Sequence, residues 1–315
     1  IQVPQEFLSS DAGIFQVPKI NGNLDISKPS ISENLIDKFI EMLSTAEKPL
    51  IICGSGAYLS NCSGILSRIS SEYSIPVFGN AMGRGLVSED DHLGWSWALG
   101  QSAAKLADLV ILIGIRLTQR IGYGLPPKFD KATKFIQIDI QPDEIGRNRK
   151  IDLAIPSDAK NALNQIYNKL SEKITINMTY DNWVSNALKE KLAFIENIVG
   201  NDKVIHPYKI ARNLMKLFPA DAIYIGDGAD IQNWMHAYLK IGKKNTFIDH
   251  YPLGSMGIGT PLAIGAAAAE LEFSKKESRR HRKVIHVTGD GAFGFYSSEF
   301  NGASLANLDI TTIIS

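Results

Sequence analysis

Val284-Ile-His-Val-Thr-Gly289-Asp290-Gly291-Ala-Phe-Gly-Phe295, followed by Ser297-Ser298-Glu299-Phe300, is the most informative stretch of this chain. An apolar run of strand length ends on a glycine-aspartate-glycine turn, and a helical segment follows. That order aims backbone N–H groups of the turn and of the helix start at one point, which makes a cradle for an anion. Asp290 adds a hard carboxylate where a divalent cation such as Mg²⁺ can bridge to phosphate oxygens. Asp-Gly is also a favoured turn dipeptide, so an ordinary connection is the competing reading.

Outward from this stretch the chain alternates helix and strand, the pattern of parallel sheets with helices on their faces. Ser30-x-x-Glu33 has capping-box spacing, and Leu35, Ile36, Phe39, Ile40 and Leu43 follow at helical period. Leu50 to Cys53, Pro76 to Phe78, Leu109 to Ile113 and Phe135 to Ile138 read as four buried strands, with helices at about 63–73 and 102–107 between them. Helical stretches at 158–170 and 180–199 come next, the second with a stripe of Trp183, Ala187, Leu188, Leu192, Ile195 and Val199. Alternation then resumes through a helix at 207–217, a strand at 222–225, a helix at 260–271 and the strand at 284–287. Asp309-Ile-Thr-Thr-Ile-Ile-Ser315 reads as one more strand. The expected fold class is α/β, with two doubly wound parallel-sheet domains, the second incomplete at its C-terminal end. The boundaries are 1–27, an end piece and linker; 28–170, a nucleotide-fold domain; 171–200, a helical linker; and 201–315, the anion-cradle domain.

With 33 basic and 33 acidic side chains, the chain has no global field to gather nucleic acid or an anionic membrane surface. No apolar run approaches the roughly 20 residues that span a bilayer. The basic run Lys275, Lys276, Arg279, Arg280, Arg282 and Lys283 has glutamates beside it and no interleaved aromatic residues, so it reads as a solvated loop. Cys53 and Cys62 are too few for a disulfide framework and lack metal-ligand spacing, which points to a reducing, cytoplasmic setting. Small-molecule ligands are expected.

GDGAFGFYSSEFNGASLANLDITTIIS, residues 289–315, resembles the diphosphate-binding motif of thiamine-diphosphate enzymes, in which GDG is followed by paired asparagines that fall due where this chain stops. Two more segments resemble the family in the right order. Tyr251-Pro-Leu-Gly254-Ser255-Met256-Gly257-Ile-Gly259-Thr-Pro261 is similar to the loop whose bulky residue, here Met256, supports the bent cofactor. Gly226-Asp227-Gly228-Ala229-Asp230 is similar to the first diphosphate-side loop, with Asp227 readable as a plain turn residue. The resemblance implies thiamine diphosphate contacts from Ala229, Asp230, Gly254, Ser255, Met256, Gly289, Asp290, Gly291, Ala292 and Phe293, with Mg²⁺ on Asp290. It also implies that residues 1–8 close a pyrimidine-binding domain as a strand. The activating glutamate would come from that domain in a second copy of the full-length chain, in a homodimer or tetramer, so the catalytic residue lies outside this chain.

Gly114-Ile-Arg116-Leu-x-x-Arg120 and Phe135-Ile-Gln-Ile-Asp139 resemble acetolactate synthase large subunits, whereas Gly124-Leu-Pro-Pro-Lys-Phe129 resembles 2-hydroxyacyl-CoA lyases and oxalyl-CoA decarboxylases. The resemblance thus implies decarboxylation of a 2-oxo acid with carboligation, or cleavage of an acyl-CoA. A non-catalytic nucleotide-binding module on the same fold is the reading from another class. FAD, ADP or CoA is implied for the central domain. Gly54 and Gly56 after a strand permit close approach to phosphate, Asp139 can accept from a ribose hydroxyl, and Arg116 can meet a phosphate. Against this, Asp139 also suits a turn and Arg116 a surface ion pair. His286, inside an apolar strand, reads as a core histidine, while His236 and His250 are placed near substrate.

If 28–170 closes its own sheet, limited proteolysis should cut first within 170–205. Protection there, with cleavage inside 50–140, would overturn the division.

Overall fold

The computed structural model describes residues 4–11, 13, 27–173, 183–200, 206–251 and 253–315. Among the described residues ten strands form two sheets: β1 (Pro49–Cys53), β2 (Val77–Gly79), β3 (Gly94–Ser96), β4 (Leu109–Ile113), β5 (Lys134–Asp139) and β6 (Leu153–Pro156), then β7 (Ile223–Gly226), β8 (Phe247–Ile248), β9 (Val284–Thr288) and β10 (Ile310–Ile314). The first sheet runs β3-β2-β1-β4-β5-β6 and the second β10-β9-β7-β8, every pairing parallel. Helices cover both faces, as the fold class expected. The central strands β1 and β4 are buried along their whole length, which is why they read as unbroken apolar runs.

The first sheet separates two apolar layers. On one side Ile51, Ile111, Ile136 and Ile138 meet the helices Glu33–Ser44, Ser63–Tyr73 and Ala159–Lys173. On the other, Leu50, Ile52, Val110, Leu112 and Phe135 meet Trp97, Phe129, Val184 and Leu188. The helix Trp183–Gly200 therefore packs on the first domain, and its Ile195 also joins Tyr208, Trp234 and Tyr238 of the second. Val199 and residues 201–202 of the expected boundary lie outside the side chains described.

Several local expectations need correction. Residues Gln5–Leu8 form one helical turn rather than a strand, and 1–3 lie outside the described residues. The N-cap of Glu33–Ser44 is Ser32, and no side chain caps it, so Ser30-x-x-Glu33 is not a capping box. The first sheet holds six strands rather than four, because β3 and β6 are short edge pieces without an apolar run. Residues Ala104–Leu106 make a short 3₁₀ turn in place of a helix at 102–107. The basic run is not a free cationic loop. Lys275 and Lys276 end the helix Gly259–Lys276, Arg280 pairs with Asp221 at 2.9 Å, and Arg279 and Arg282 both clasp the buried Glu270.

Burial pushes the Glu270 carboxyl up. Its bonds from the Arg279 guanidinium, the Arg282 amide and the Arg282 guanidinium more than reverse this and hold it down to about 2. A depressed folded value means the stabilisation is complete above the ordinary glutamate range and is lost as pH falls toward 2. Glu270→Gln should cost about 3 kcal/mol at pH 7, the scale for breaking a buried pair. In urea unfolding, the gap to the unsubstituted protein should close as pH is lowered from about 4 toward 2. A gap independent of pH would show that the carboxylate charge is not what matters.

Candidate functional site

Three turns meet at the carboxyl end of the second sheet. β7 and β9 pair with Ile225 opposite His286 and Gly226 opposite Val287, and the Asp227 amide donates to the Val287 carbonyl at 2.9 Å. The two Gly-Asp-Gly turns therefore leave adjacent strands side by side. A Cβ built on Gly228 would lie 3.0 Å from the Gly289 nitrogen. The third turn, 254–259, lies against the helix Asp290–Phe295. Gly257 has φ +90°, and a Cβ there would come within 2.7 Å of the Phe295 Cβ, so only glycine permits the approach.

The structure gathers the residues expected at this site. Ala229, Asp230, Ser255, Met256, Asp290 and Gly291 are exposed, Gly254, Gly289 and Phe293 half-buried, and Ala292 buried beneath them. Met256 is 50% exposed, so its side chain is not part of the core. The Asp290 carboxylate accepts from the neighbouring Gly291 amide at 2.7 Å and otherwise faces outward. A Cβ on Gly291 would meet nothing within 4 Å, so the space before this turn is open. Among the described residues no cluster of three or more His, Cys, Asp or Glu could hold a metal. An ion at Asp290 must therefore take most of its oxygens from elsewhere. This donor set suits Mg²⁺, which keeps waters and shares phosphate oxygens with its ligand. One hard carboxylate beside an open glycine turn thus fits a metal-bridged diphosphate.

Sequence reasoning underrated Asp227. Its carboxylate is wholly buried and accepts from the amides of Gly228 at 2.6 Å, Gly257 at 3.1 Å and Gly259 at 2.7 Å. Burial pushes this carboxyl up, but His250 and the three amides together hold it below the usual aspartate range. His250 lies 3.6 Å from it and is itself buried. His236 is buried beside Asp249 at 3.2 Å, so neither histidine faces the open side where substrate was expected. His286 is a core histidine as expected. Burial lowers it to about 4 and keeps it neutral, and its Nε2 has no protein partner.

A second cavity of about 770 Å³ lies at the seam between the sheets. Gly54, Gly56, Arg116 and Asp139, the residues proposed for a nucleotide, all line it, joined by Gly254 of the third turn and by Tyr251 and Leu253 just before it. Part of the glycine signal has a packing cause. A Cβ on Gly54 would sit 2.7 Å from the Gly114 carbonyl oxygen, and one on Gly56 2.8 Å from the Gly114 Cα. Asp139 accepts from the Gln141 amide at 2.9 Å, as a turn residue does, and it also borders the cavity. Arg120, which the sequence left without a role, stacks its guanidinium 3.5 Å above the Tyr251 ring.

The seam is fastened by a pair that no motif announced. Arg84 and Glu89 form a buried bidentate ion pair within the loop after β2. Arg84 also donates to the carbonyls of Met235 and Leu239 at the end of the helix Asp230–Tyr238, and the Ile241 amide donates to Glu89 at 3.0 Å.

Two parallel sheets with glycine turns at one edge, an exposed aspartate and a nucleotide-sized seam define a cofactor-binding α/β protein. Comparison with known proteins makes this specific. The family model for the central domain of thiamine pyrophosphate enzymes matches residues 36–166, and that for their C-terminal TPP-binding domain matches residues 227–315. A probable acetolactate synthase large subunit of Methanocaldococcus jannaschii is 32% identical over 292 residues, covering 89% of this chain and 47% of the relative. The 2-hydroxyacyl-CoA lyase 1 of Mus musculus is 26% identical over 319 residues, covering 100% and 54%. A glyoxylate carboligase of Escherichia coli O157:H7 is 28% identical over 291 residues, covering 90% and 47%. The chain belongs to the thiamine pyrophosphate enzyme family. It spans about half the length of the curated relatives it matches.

Proposed function

We propose that this chain is part of a thiamine-diphosphate- and Mg²⁺-dependent enzyme that decarboxylates a 2-oxo acid and joins the remaining fragment to a second carbonyl, as an acetolactate synthase does. The observation that carries the proposal is the meeting of three turns around the exposed Asp290 carboxylate at the carboxyl ends of β7 and β9. Similarity at 32% to an acetolactate synthase large subunit supports the choice of reaction.

When bound, thiamine diphosphate supplies an electron sink for the pair released as a C–C bond beside a carbonyl breaks. The chain's own residues bind and orient it. Gly289, Gly291 and the amides that follow would hold the diphosphate, and Asp290 would hold the metal. Ala229 and Asp230 approach from the neighbouring turn, while Met256, with Gly254 and Ser255, offers an apolar surface opposite. The apolar surface left open there, Leu253, Met256, Phe295 and Tyr296, suits cover by a second copy of the full-length protein.

The seam cavity favours a second ligand. We infer an adenine nucleotide there, FAD, ADP or the nucleotide part of CoA, with Arg116 on a phosphate and Asp139 on a ribose hydroxyl. CoA in that cavity would carry the alternative activity, cleavage of a 2-hydroxyacyl-CoA or decarboxylation of oxalyl-CoA. Titration of the protein with FAD, ADP and CoA should give saturable binding by at least one, weakened by Arg116→Ala. No binding at millimolar concentration removes the nucleotide and the CoA activities together.

In the full-length protein, calorimetry should show thiamine diphosphate binding that requires Mg²⁺, and Asp290→Ala should abolish it. The fold should be unaffected, because an exposed turn carboxylate supports little packing. Metal-dependent binding retained in that variant would show that the ion sits elsewhere, and absence of binding by the unsubstituted protein would leave the non-catalytic module as the reading.

A further inference from the structure

We propose that Asp227 is a positioning residue whose carboxylate fixes the turn carrying Ala229 and Asp230 and the turn carrying Met256 in one spatial register. The inference rests on the thiamine diphosphate reading above and deepens it. Both turns would touch the same ligand, so their separation decides whether the ligand is gripped by one wall or by two.

The geometry exceeds what a turn aspartate needs. An ordinary Asx turn is closed by one bond to a nearby amide. Asp227 accepts locally from the next amide, Gly228, and then from two more, those of Gly257 and Gly259, about thirty positions later in the chain. Gly259 is the first residue of the helix Gly259–Lys276, and the residue at that helix's N-cap is Ile258, whose side chain cannot cap it. Asp227 thus does the capping from another segment, with a full negative charge facing the positive end of the helix dipole. One carboxylate closes a turn, caps a helix and joins the two.

Its surroundings point the same way. His250 Nδ1 stands 3.6 Å from the Asp227 carboxylate, and neither it, Thr260 Oγ1 nor His286 Nε2 has a protein hydrogen-bond partner, although all are buried. Thr260 follows Gly259, and His286 Nε2 lies 2.7 Å from where a Gly259 Cβ would be. Three polar side chains thus gather around the carboxylate that joins the two turns.

Asp227→Asn keeps the shape, removes the charge and turns an NH₂ toward one of the three amide donors. In the full-length protein it should raise the Kd for thiamine diphosphate with Mg²⁺ by about 10- to 100-fold, the range for losing hydrogen bonds to a charged group. The near-UV circular dichroism of the bound cofactor should change as well. Leu214→Ala, a truncation in the core behind β7, should lower the Tm at least as much and leave the Kd alone. A second measurement needs no variant. In the unsubstituted protein the Gly257 and Gly259 amides should exchange with solvent far more slowly than those of Ser255 and Met256. An unchanged Kd in Asp227→Asn, a rise equalled by Leu214→Ala, or fast exchange at Gly257 and Gly259 overturns the inference while leaving the cofactor reading in place. No binding by the unsubstituted protein overturns both.

Discussion

The parallel pairing of β7 with β9 governs the rest of the second domain. Because both strands run the same way and pair directly, the turns that leave their carboxyl ends cannot be far apart. Each turn carries Gly-Asp-Gly, and the two aspartates have opposite fates. Asp290 stands outward at an open turn, whereas Asp227 folds inward beneath the next helix. An identical tripeptide thus provides a candidate metal ligand in one place and an internal anchor in the other, and only the neighbouring chain decides which. β8 and β10 flank the pair, and the apolar clusters on its two faces hold the sheet while the edge above it stays polar and open.

What the sequence made legible follows from how local each signal is. Leu109 to Ile113 is buried on both faces of the sheet, so composition alone marks it as a strand, and the helices Ser63–Tyr73 and Pro207–Leu217 fall where their periodicity puts them. β3, with Gly94-Trp-Ser96, and β8, with two residues, are too short to show a period and take their hydrogen bonds from β2 and β7 at the two sheet edges. β6 alternates buried and exposed residues on the sheet's edge, so it lacked the continuous apolar run that marked the others.

The candidate site was readable where a motif is contiguous and opaque where it is assembled. Gly289 to Phe293 and Gly254 to Met256 were marked by resemblance to the family's contiguous motifs, and the turns that carry them converge. Asp227 looked like a turn residue because its decisive partners, Gly257 and Gly259, lie far along the chain. The histidines misled for a related reason. Nearness in sequence to the turns put His236 and His250 beside the ligand space, but a side chain directed inward from the same backbone meets Asp249 or Asp227 instead.

The Arg84–Glu89 pair carries a consequence for how proteins of this build diversify. Glu89 balances the charge of Arg84, which gives further donors to two carbonyls of the other domain, while Glu89 also accepts from Ile241. Removing either side chain of the pair leaves the other as a buried, uncompensated charge. The residues at 84, 89 and 235–241 therefore form a mating connector, and the halves on either side are not freely interchangeable. A chimera that takes its first sheet from one relative and its second from another inherits both sides of the connector only if the crossover leaves matching parts, so recombination across this seam is filtered by a few buried bonds before catalysis is ever tested.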